Sequence, residues 1–371
     1  MQKAKTVIDV NVANFYQITI AQNPSNIGRV LKQFIKTNAV IIHDSNIQLQ
    51  MLEQIKQSFS ENRIEFSILK LERVGENVKT FEHFKEISGE LIERGVNRKT
   101  TLIAIGGGTV GDFVGFIAST FMRGIPFIQI PTTLLSMVDS SVGGKVAINL
   151  GHYKNCIGAF YQPKHVFIAI SFLQTLPKVE LISGYAEVIK YGFIQSYEFY
   201  QYLLTNADLF VSFLEKRNFT SDIVGYFMQI IAKSCEIKAD IVSQDEMETK
   251  GIRDILNFGH TFGHAFEGIF MGKLPHGIAV GIGMICALEY SNIAVDKILL
   301  HFEKIGLLTR IKQFCDENVT KVPSVEEVIS LMQKDKKNSG GEITLILLKD
   351  IGKTIVRKER TESVAAFLVK L

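Results

Sequence analysis

The sequence predicts an α/β half followed by a mainly helical half, with a boundary near residue 177. Three observations carry this. Short apolar runs alternate with amphipathic stretches in the first half, the pattern of a mostly parallel sheet covered on both faces. After about Pro177, helical periodicity dominates. And 371 residues exceed what one hydrophobic core usually serves, so two domains are expected, 1–177 and 178–371.

Taken in order, residues 39–43 form a β-branched run ending at Asp44, and an amphipathic stretch follows through Phe59. Residues 64–69 read as a second strand, and the charged, periodic segment 78–94 as a helix. The run 100–105 is apolar after its threonines and closes on Gly106-Gly107-Gly108; 127–130 is a fourth strand, stopped by Pro131. In the second half, helices are expected over 183–194, 221–242, 258–270, 277–294 and 325–334, with one strand at 343–348. The stretch 277–295 has a membrane-like apolar character. It contains Glu289, Asn292 and several glycines, so it reads as a buried core helix.

Composition narrows the function classes. With 46% hydrophobic and 21% charged residues, the chain is neither disordered nor collagen-like. A net charge of +3 from 41 basic and 38 acidic residues gives no ground for a nucleic-acid partner. The basic run Lys334, Lys336, Lys337 is interrupted by Asp335. Cys156, Cys235, Cys286 and Cys315 are widely spaced and form no CxxC, which suits free thiols in a reducing compartment. The first residues carry no apolar signal region, so a soluble, cytoplasmic protein without membrane attachment is expected.

His260 and His264 stand four residues apart on one expected helix, so both imidazoles can reach a common point, and His276 follows. Imidazole is a common ligand for zinc-like metals, and an open site needs about three protein ligands. A helix whose histidines are satisfied by neighbours is the competing explanation. In Gly184-Tyr185-Ala186-Glu187-Val188-Ile189-Lys190, a carboxylate and a lysine share one helical turn among apolar residues. Glu187 is therefore a candidate third ligand, with a surface ion pair as the alternative.

The turn Gly106-Gly107-Gly108-Thr109-Val110-Gly111-Asp112 follows a strand and precedes a helix, where a backbone can approach a pyrophosphate. It is not GxGxxG, and a tight turn without ligand stays open. Upstream, Glu76 and Lys79 could meet ribose hydroxyls and an anion. Residues 131–145 place Thr132, Thr133, Asp139, Ser140, two glycines and Lys145 after a strand end. Lys154, Asn155 and Arg123 add further groups for an anionic substrate. Arg253, just before the histidine helix, can grip a carboxylate bidentately.

Together these segments resemble the 3-dehydroquinate synthase family of sugar-phosphate cyclases. The matching stretches are GGGTVGD, RGIPFIQIPTTLLSMVDSSVGGKVAIN, KNCIGAF, LQTLP, GYAEVIKYG, LNFGHTFGHAFE, HGIAVGIGM and DKK, in family order from about residue 75 to 340. The resemblance implies a Rossmann-like N-terminal domain, an all-helical C-terminal domain and an active site in the cleft between them. It implies conversion of 3-deoxy-D-arabino-heptulosonate 7-phosphate, a sugar-acid phosphate, to 3-dehydroquinate and phosphate. NAD and a divalent metal, zinc or cobalt, would serve as cofactors, and the protein would be a homodimer.

Residue by residue, the resemblance makes Glu187, His260 and His276 the metal ligands and moves His264 to the substrate phosphate. NAD would meet Asp44, Glu76, Lys79, Gly107, Gly108, Asp112, Thr132, Thr133, Asp139, Ser140 and Lys145, with Lys154, Phe172 and Thr175 close by. The phosphate would meet Lys145, Asn155, His264, Lys336 and, across a dimer, Arg123. Lys238, Arg253 and Asn257 would take the carboxylate, and Lys190 the hydroxyls, with Asp139 also among the catalytic groups. The chain departs from the family at Ala169, Val179 and Ile278. Where Ile278 stands the family has a glutamate, which leaves the outer support of His276 unassigned. Rival readings are a deoxyinosose-type cyclase, a dehydrogenase of glycerol-dehydrogenase type, and a binding protein without catalysis.

Overall fold

A computed structural model describes residues 5–151, 153–334 and 341–370. In chain order the first strands are β1 (Lys5–Val10), β2 (Tyr16–Ala21), β3 (Asn38–Asp44), β4 (Glu65–Leu71), β5 (Thr101–Gly106) and β6 (Phe127–Pro131). There follow β7 (Lys145–Leu150), β8 (Tyr153–Phe160), β9 (His165–Ala169), β10 (Glu342–Asp350) and β11 (Lys353–Arg360). The helices begin with α1 (Ile27–Leu31), α2 (Leu49–Glu61), α3 (Phe81–Glu93), α4 (Gly108–Thr120), α5 (Lys178–Gln195), α6 (Tyr197–Thr205) and α7 (Ala207–Lys216). They continue as α8 (Ser221–Gln244), α9 (His260–Ile269), α10 (His276–Tyr290), α11 (Asp296–Ile305), α12 (Ile311–Glu317), α13 (Val325–Gln333) and α14 (Thr361–Leu368).

The chain divides into two compact units, Met1–Leu176 with Phe219–Met247, and Pro177–Asn218 with Glu248–Leu371. The first holds a seven-stranded sheet in the order β1-β2-β9-β6-β5-β3-β4. Only the edge pair β1–β2 is antiparallel; every other pairing is parallel. All six residues of β5 are buried, as a central parallel strand requires. Val40, Ile42, Leu102 and Ala104 of the sheet pack with Val110, Phe113, Val114 and Ile117 of α4 in one core. Thr80 starts α3 by accepting a hydrogen bond from the His83 amide.

After β4 the chain returns to the other side of β3, so the order reverses between β3 and β5. Parallel sheets bind ligands at the carboxyl ends of strands beside such a reversal. Here those ends carry Asp44 and the Gly106-Gly107-Gly108 turn.

The four strands expected in the first half correspond to β3, β4, β5 and β6. The apolar runs do not reveal β1, β2, β9 or the separate β7–β8 hairpin, and the single strand expected at 343–348 is β10 of a hairpin whose second strand, β11, is not expected from the sequence. β1 alternates exposed and buried residues at an edge, and β8 carries Lys154 and Asn155, so neither shows an apolar run. The single boundary near 177 also needs correction. The helix expected at 221–242 is α8, and it belongs to the first unit. It is tied there by Lys238 on Asp139 at 2.8 Å and by the Cys235 thiol on the Met137 carbonyl at 3.3 Å. Just beyond it, Glu246 accepts from the Ala13 amide at 2.9 Å.

The second unit is mainly helical, with the hairpin β10–β11. α10 is buried on nearly all sides, which explains its membrane-like composition. Its backbone approaches two other helices closely. A Cβ at Gly277 would lie 2.0 Å from the Ser183 carbonyl oxygen of α5. A Cβ at Gly283 would lie 2.1 Å from the carbonyl oxygen of Gly259, the left-handed residue (φ 78°) that opens α9. Among the described residues, no helix is long and apolar enough to cross a membrane.

Gly277→Ala should therefore push α10 off α5 and lower stability by about 1–3 kcal/mol in urea denaturation; unchanged stability would show that the contact yields freely. A pH effect follows from two buried histidines. Burial holds His165 in the first unit and His301 in the second down at about 4. Neither accepts a proton folded until the pH is well below the unfolded value near 6.5. Their stability contribution is thus complete above about 6.5 and lost as the pH falls through about 4, roughly 3 kcal/mol each. Both ring nitrogens of His301 lack a hydrogen-bond partner among the described residues. His301→Leu should shrink the stability difference between pH 7 and pH 4.5, and an equal difference in variant and parent would contradict this.

Candidate active site

The second unit gathers the candidate metal ligands. α5 carries Glu187 one turn beyond Ser183, whose hydroxyl accepts from the Gly277 amide at 2.9 Å. His276 is the first residue of α10, next to that glycine, so the α5–α10 approach sets it beside Glu187. His260 opens α9 immediately after Gly259. Glu187 Oε1 lies 3.6 Å from His260 Nε2 and 3.6 Å from His276 Nε2. The ligand atoms of His260, His264 and His276 also lie within 4.8 Å of one another. Two overlapping sets of three donors are therefore present, one completed by buried Glu187 and the other by exposed His264.

The outer nitrogens are engaged as well. His260 Nδ1 meets the Phe258 carbonyl at 3.1 Å, and His276 Nδ1 meets Glu267 Oε2 at 2.9 Å. Each ring thus turns Nε2 toward Glu187, the arrangement of a metal-ligating imidazole with outer support. Burial, with the Lys190 ammonium nearby, drives His260 well below the ordinary histidine range. Burial would lower His276 too, but the hydrogen bonds to Glu187 and Glu267 outweigh it and lift the ring to about 9. Two imidazoles and a carboxylate converging on one point fit a divalent cation such as zinc or cobalt. Glu187 also pairs with Lys190, which is equally buried.

Arg253 is buried and Asn257 partly so, both on the turn Ile252–Asn257 that leads into α9. Ile278, one of the departures from the pattern described above, is packed in the core of α10. The outer carboxylate of His276 instead comes from Glu267. Sequence reasoning did not assign that residue, although its position seven residues after His260 places it on the same face of α9.

In the first unit, Lys79 is buried and its ammonium pairs with Asp112 Oδ2 at 2.6 Å and with the Asn155 side chain. Burial pushes the Asp112 carboxyl up, and the Lys79 charge opposes the push. Asn149 bridges this cluster to Glu76, donating to Glu76 Oε2 at 2.7 Å and accepting from the Asn155 amide at 2.8 Å. Asp139, in the π-helical turn Ser136–Ser140, accepts from Lys238 through its side chain and its carbonyl, at 2.8 and 2.7 Å. Lys238, expected at a substrate carboxylate, is thus anchored to Asp139.

Thr133 and Ser136 hydroxyls meet at 2.8 Å, and the Thr132 amide donates to Gly106 at 2.9 Å, which knits residues 132–136 to the glycine turn. A Cβ at Gly108 would lie 2.6 Å from Ser140 Oγ, itself buried and without a partner among the described residues. A side-chain-free backbone facing an unsatisfied hydroxyl suits a polar ligand such as a dinucleotide. Asp44 is half-buried at the end of β3, its Oδ1 accepting from the Asn46 amide at 2.8 Å.

Lys145 and Lys154 are exposed on the β7–β8 hairpin. Arg123 is exposed on a left-handed backbone (φ 65°) shared with Met122 (φ 50°). Phe172 is buried and Thr175 exposed on the turn Ile170–Thr175. Lys336 lies outside the described residues.

Comparison with known proteins places this geometry in context. Family models for the N-terminal and C-terminal parts of 3-dehydroquinate synthase match residues 70–183 and 184–338. The chain is 43% identical to the 3-dehydroquinate synthase of Shewanella frigidimarina over 352 residues, covering 94% of each. It is 39% identical to that of Acetivibrio thermocellus over 350 residues, covering 92% of this chain and 91% of the relative. Among solved structures, 2-epi-5-epi-valiolone synthase from Streptomyces hygroscopicus, determined with NAD+ and Zn2+, superposes with a TM-score of 0.82 at 22% identity and 96% coverage of both chains. A 2-deoxy-scyllo-inosose synthase, determined with carbaglucose-6-phosphate, NAD+ and Co2+, gives 0.78 at 22% identity, covering 98% of this chain and 99% of that one. Glycerol dehydrogenase from Schizosaccharomyces pombe gives 0.67 at 15% identity, covering 100% and 90%. These structural likenesses establish the shared fold, and the sequence relationship establishes the family: the chain belongs to the 3-dehydroquinate synthases.

Proposed function

We propose that this chain is a 3-dehydroquinate synthase that converts 3-deoxy-D-arabino-heptulosonate 7-phosphate into 3-dehydroquinate and inorganic phosphate. The observation that carries the reading is the meeting of Glu187 with His260 and His276, each ring turned by an outer partner. NAD and zinc or cobalt are the groups it calls for. The presence of NAD+ with Zn2+ or Co2+ in the two cyclases of like fold supports that choice.

When bound, NAD would supply reversible hydride acceptance and the cation would polarise the reacting hydroxyl, consistent with a reaction that has no net redox change. Glu187, His260 and His276 would hold the cation. Asp112, Lys79, Gly107, Gly108, Thr132, Thr133, Asp139 and Ser140 would hold the dinucleotide, with Asp44, Glu76, Lys154, Phe172 and Thr175 around it.

Each part of the substrate has its own candidate groups. Arg253 offers a planar guanidinium for the carboxylate, and Asn257 and Lys238 are the further groups assigned to that carboxylate in this reading. Lys190, its charge balanced by Glu187, would orient the hydroxyls. Lys145, Asn155, His264 and Lys336 would surround the phosphate, stabilising charge as it leaves. No side chain need act as a dedicated base, because a phosphate oxygen can take the proton adjacent to the ketone. We extend the reading to a homodimer in which Arg123 reaches the neighbouring subunit's phosphate site. A cytoplasmic location is supported by four unbridged cysteines.

One assay tests the reading. The protein should release inorganic phosphate from the heptulosonate phosphate, stop on removal of NAD or metal, and accumulate no NADH. NADH growing in step with turnover would instead indicate a net dehydrogenase, and phosphate release unaffected by a chelator would remove the metal from the account.

A further inference from the structure

We infer that Glu267 is a positioning residue that orients His276 for metal binding. The inference rests on the proposed metal site and concerns how this chain builds it. α9 presents His260, His264 and Glu267 at intervals of four and three residues, so all three share one face. The chain then turns at residues 270–275 and starts α10 with His276. That return brings the His276 ring back against the third turn of α9, where Glu267 Oε2 stands 2.9 Å from Nδ1.

The same ring has Nε2 3.6 Å from Glu187 Oε1. One imidazole therefore spans two carboxylates, one on each nitrogen. An imidazole can be flipped about its terminal torsion at little cost, which would put ring carbons where Nδ1 and Nε2 stand. A carboxylate fixed on Nδ1 removes that freedom, because only the orientation with N–H toward Glu267 satisfies both, and it leaves the Nε2 lone pair for a cation. Accepting from Nδ1 also makes the ring a stronger donor through Nε2.

The two histidines are supported unequally. His260 leans on a neutral acceptor, the Phe258 carbonyl at 3.1 Å, two residues before it in its own chain segment. His276 sits at a helix start, where its backbone alone fixes little, and its outer partner is charged and comes from another helix. Position 278, two residues after His276, is a buried isoleucine and offers no polar group. His276 is also the more exposed of the two side chains, 33% against 12%. It thus depends more on an outside partner for its orientation.

The test is cobalt affinity of the metal-stripped protein, read from the Co2+ absorption bands in the absence of substrate. Glu267→Ala should weaken Co2+ binding by about 10–100-fold with the unfolding curve of the metal-free protein unchanged. Glu267→Gln, which keeps an acceptor for Nδ1 but no charge, should fall between the parent and the alanine variant. Affinity within twofold of the parent in Glu267→Ala, or a glutamine variant weaker than the alanine one, would overturn the inference. If Glu267→Ala does not fold, the isosteric glutamine variant decides: weaker Co2+ binding supports the role and parental binding overturns it. Failure of the parent protein itself to bind Co2+ would instead remove the metal site on which the inference rests.

Discussion

The backbone-to-backbone approach of α10 to α5 and α9 is the constraint on which the candidate metal centre depends. No side chain can stand at Gly277 or Gly283 without striking a carbonyl oxygen of the facing segment. Because those contacts are short, the helices are set by peptide atoms rather than by adjustable side chains. His276 adjoins one contact, His260 adjoins the other through Gly259, and Glu187 lies one turn from Ser183. The three donors are thereby fixed by the same packing that buries the core of this unit.

The convergence also places ionisable groups where burial disfavours charge. Glu187 and Lys190 are both almost wholly buried, and each is tolerable there because of the other. Lys79 and Asp112 repeat the arrangement in the first unit. Paired buried charges add little to stability and are expensive to break, so their presence is better explained by what they face. In the second unit they face two imidazoles held in opposite senses, His260 kept neutral and His276 drawn toward its proton by two carboxylates. A cation held by these residues would have to displace that proton, which would couple metal affinity to pH.

Much of this was legible in the sequence, for identifiable reasons. Apolar runs bounded by Gly, Pro and Asp exposed the inner strands β3, β5 and β6, because a buried parallel strand has to be apolar on both faces. The i, i+4 spacing of His260 and His264 by itself puts two imidazoles on one helix face. What escaped depends on tertiary context. The edge strand β1 has a solvated face, and β8 sits in a two-stranded hairpin that tolerates lysine and asparagine. The allegiance of α8 to the first unit rests on Lys238, Cys235 and Glu246 meeting residues far away in sequence. Glu267 was visible at helical spacing from His260, yet nothing local indicates that its partner is His276 on the next helix. The spacing likewise leaves His264 in the cluster without deciding between a ligand and a phosphate contact.

The central claim is that Glu187, His260 and His276 together form one divalent-cation site. Its most direct measurement is the stoichiometry of tightly bound Co2+ in the parent and in Glu187→Gln, by metal analysis after dialysis. The account predicts one ion per chain in the parent and loss of that ion in a folded Glu187→Gln. Equal, stoichiometric cobalt in both proteins would contradict it.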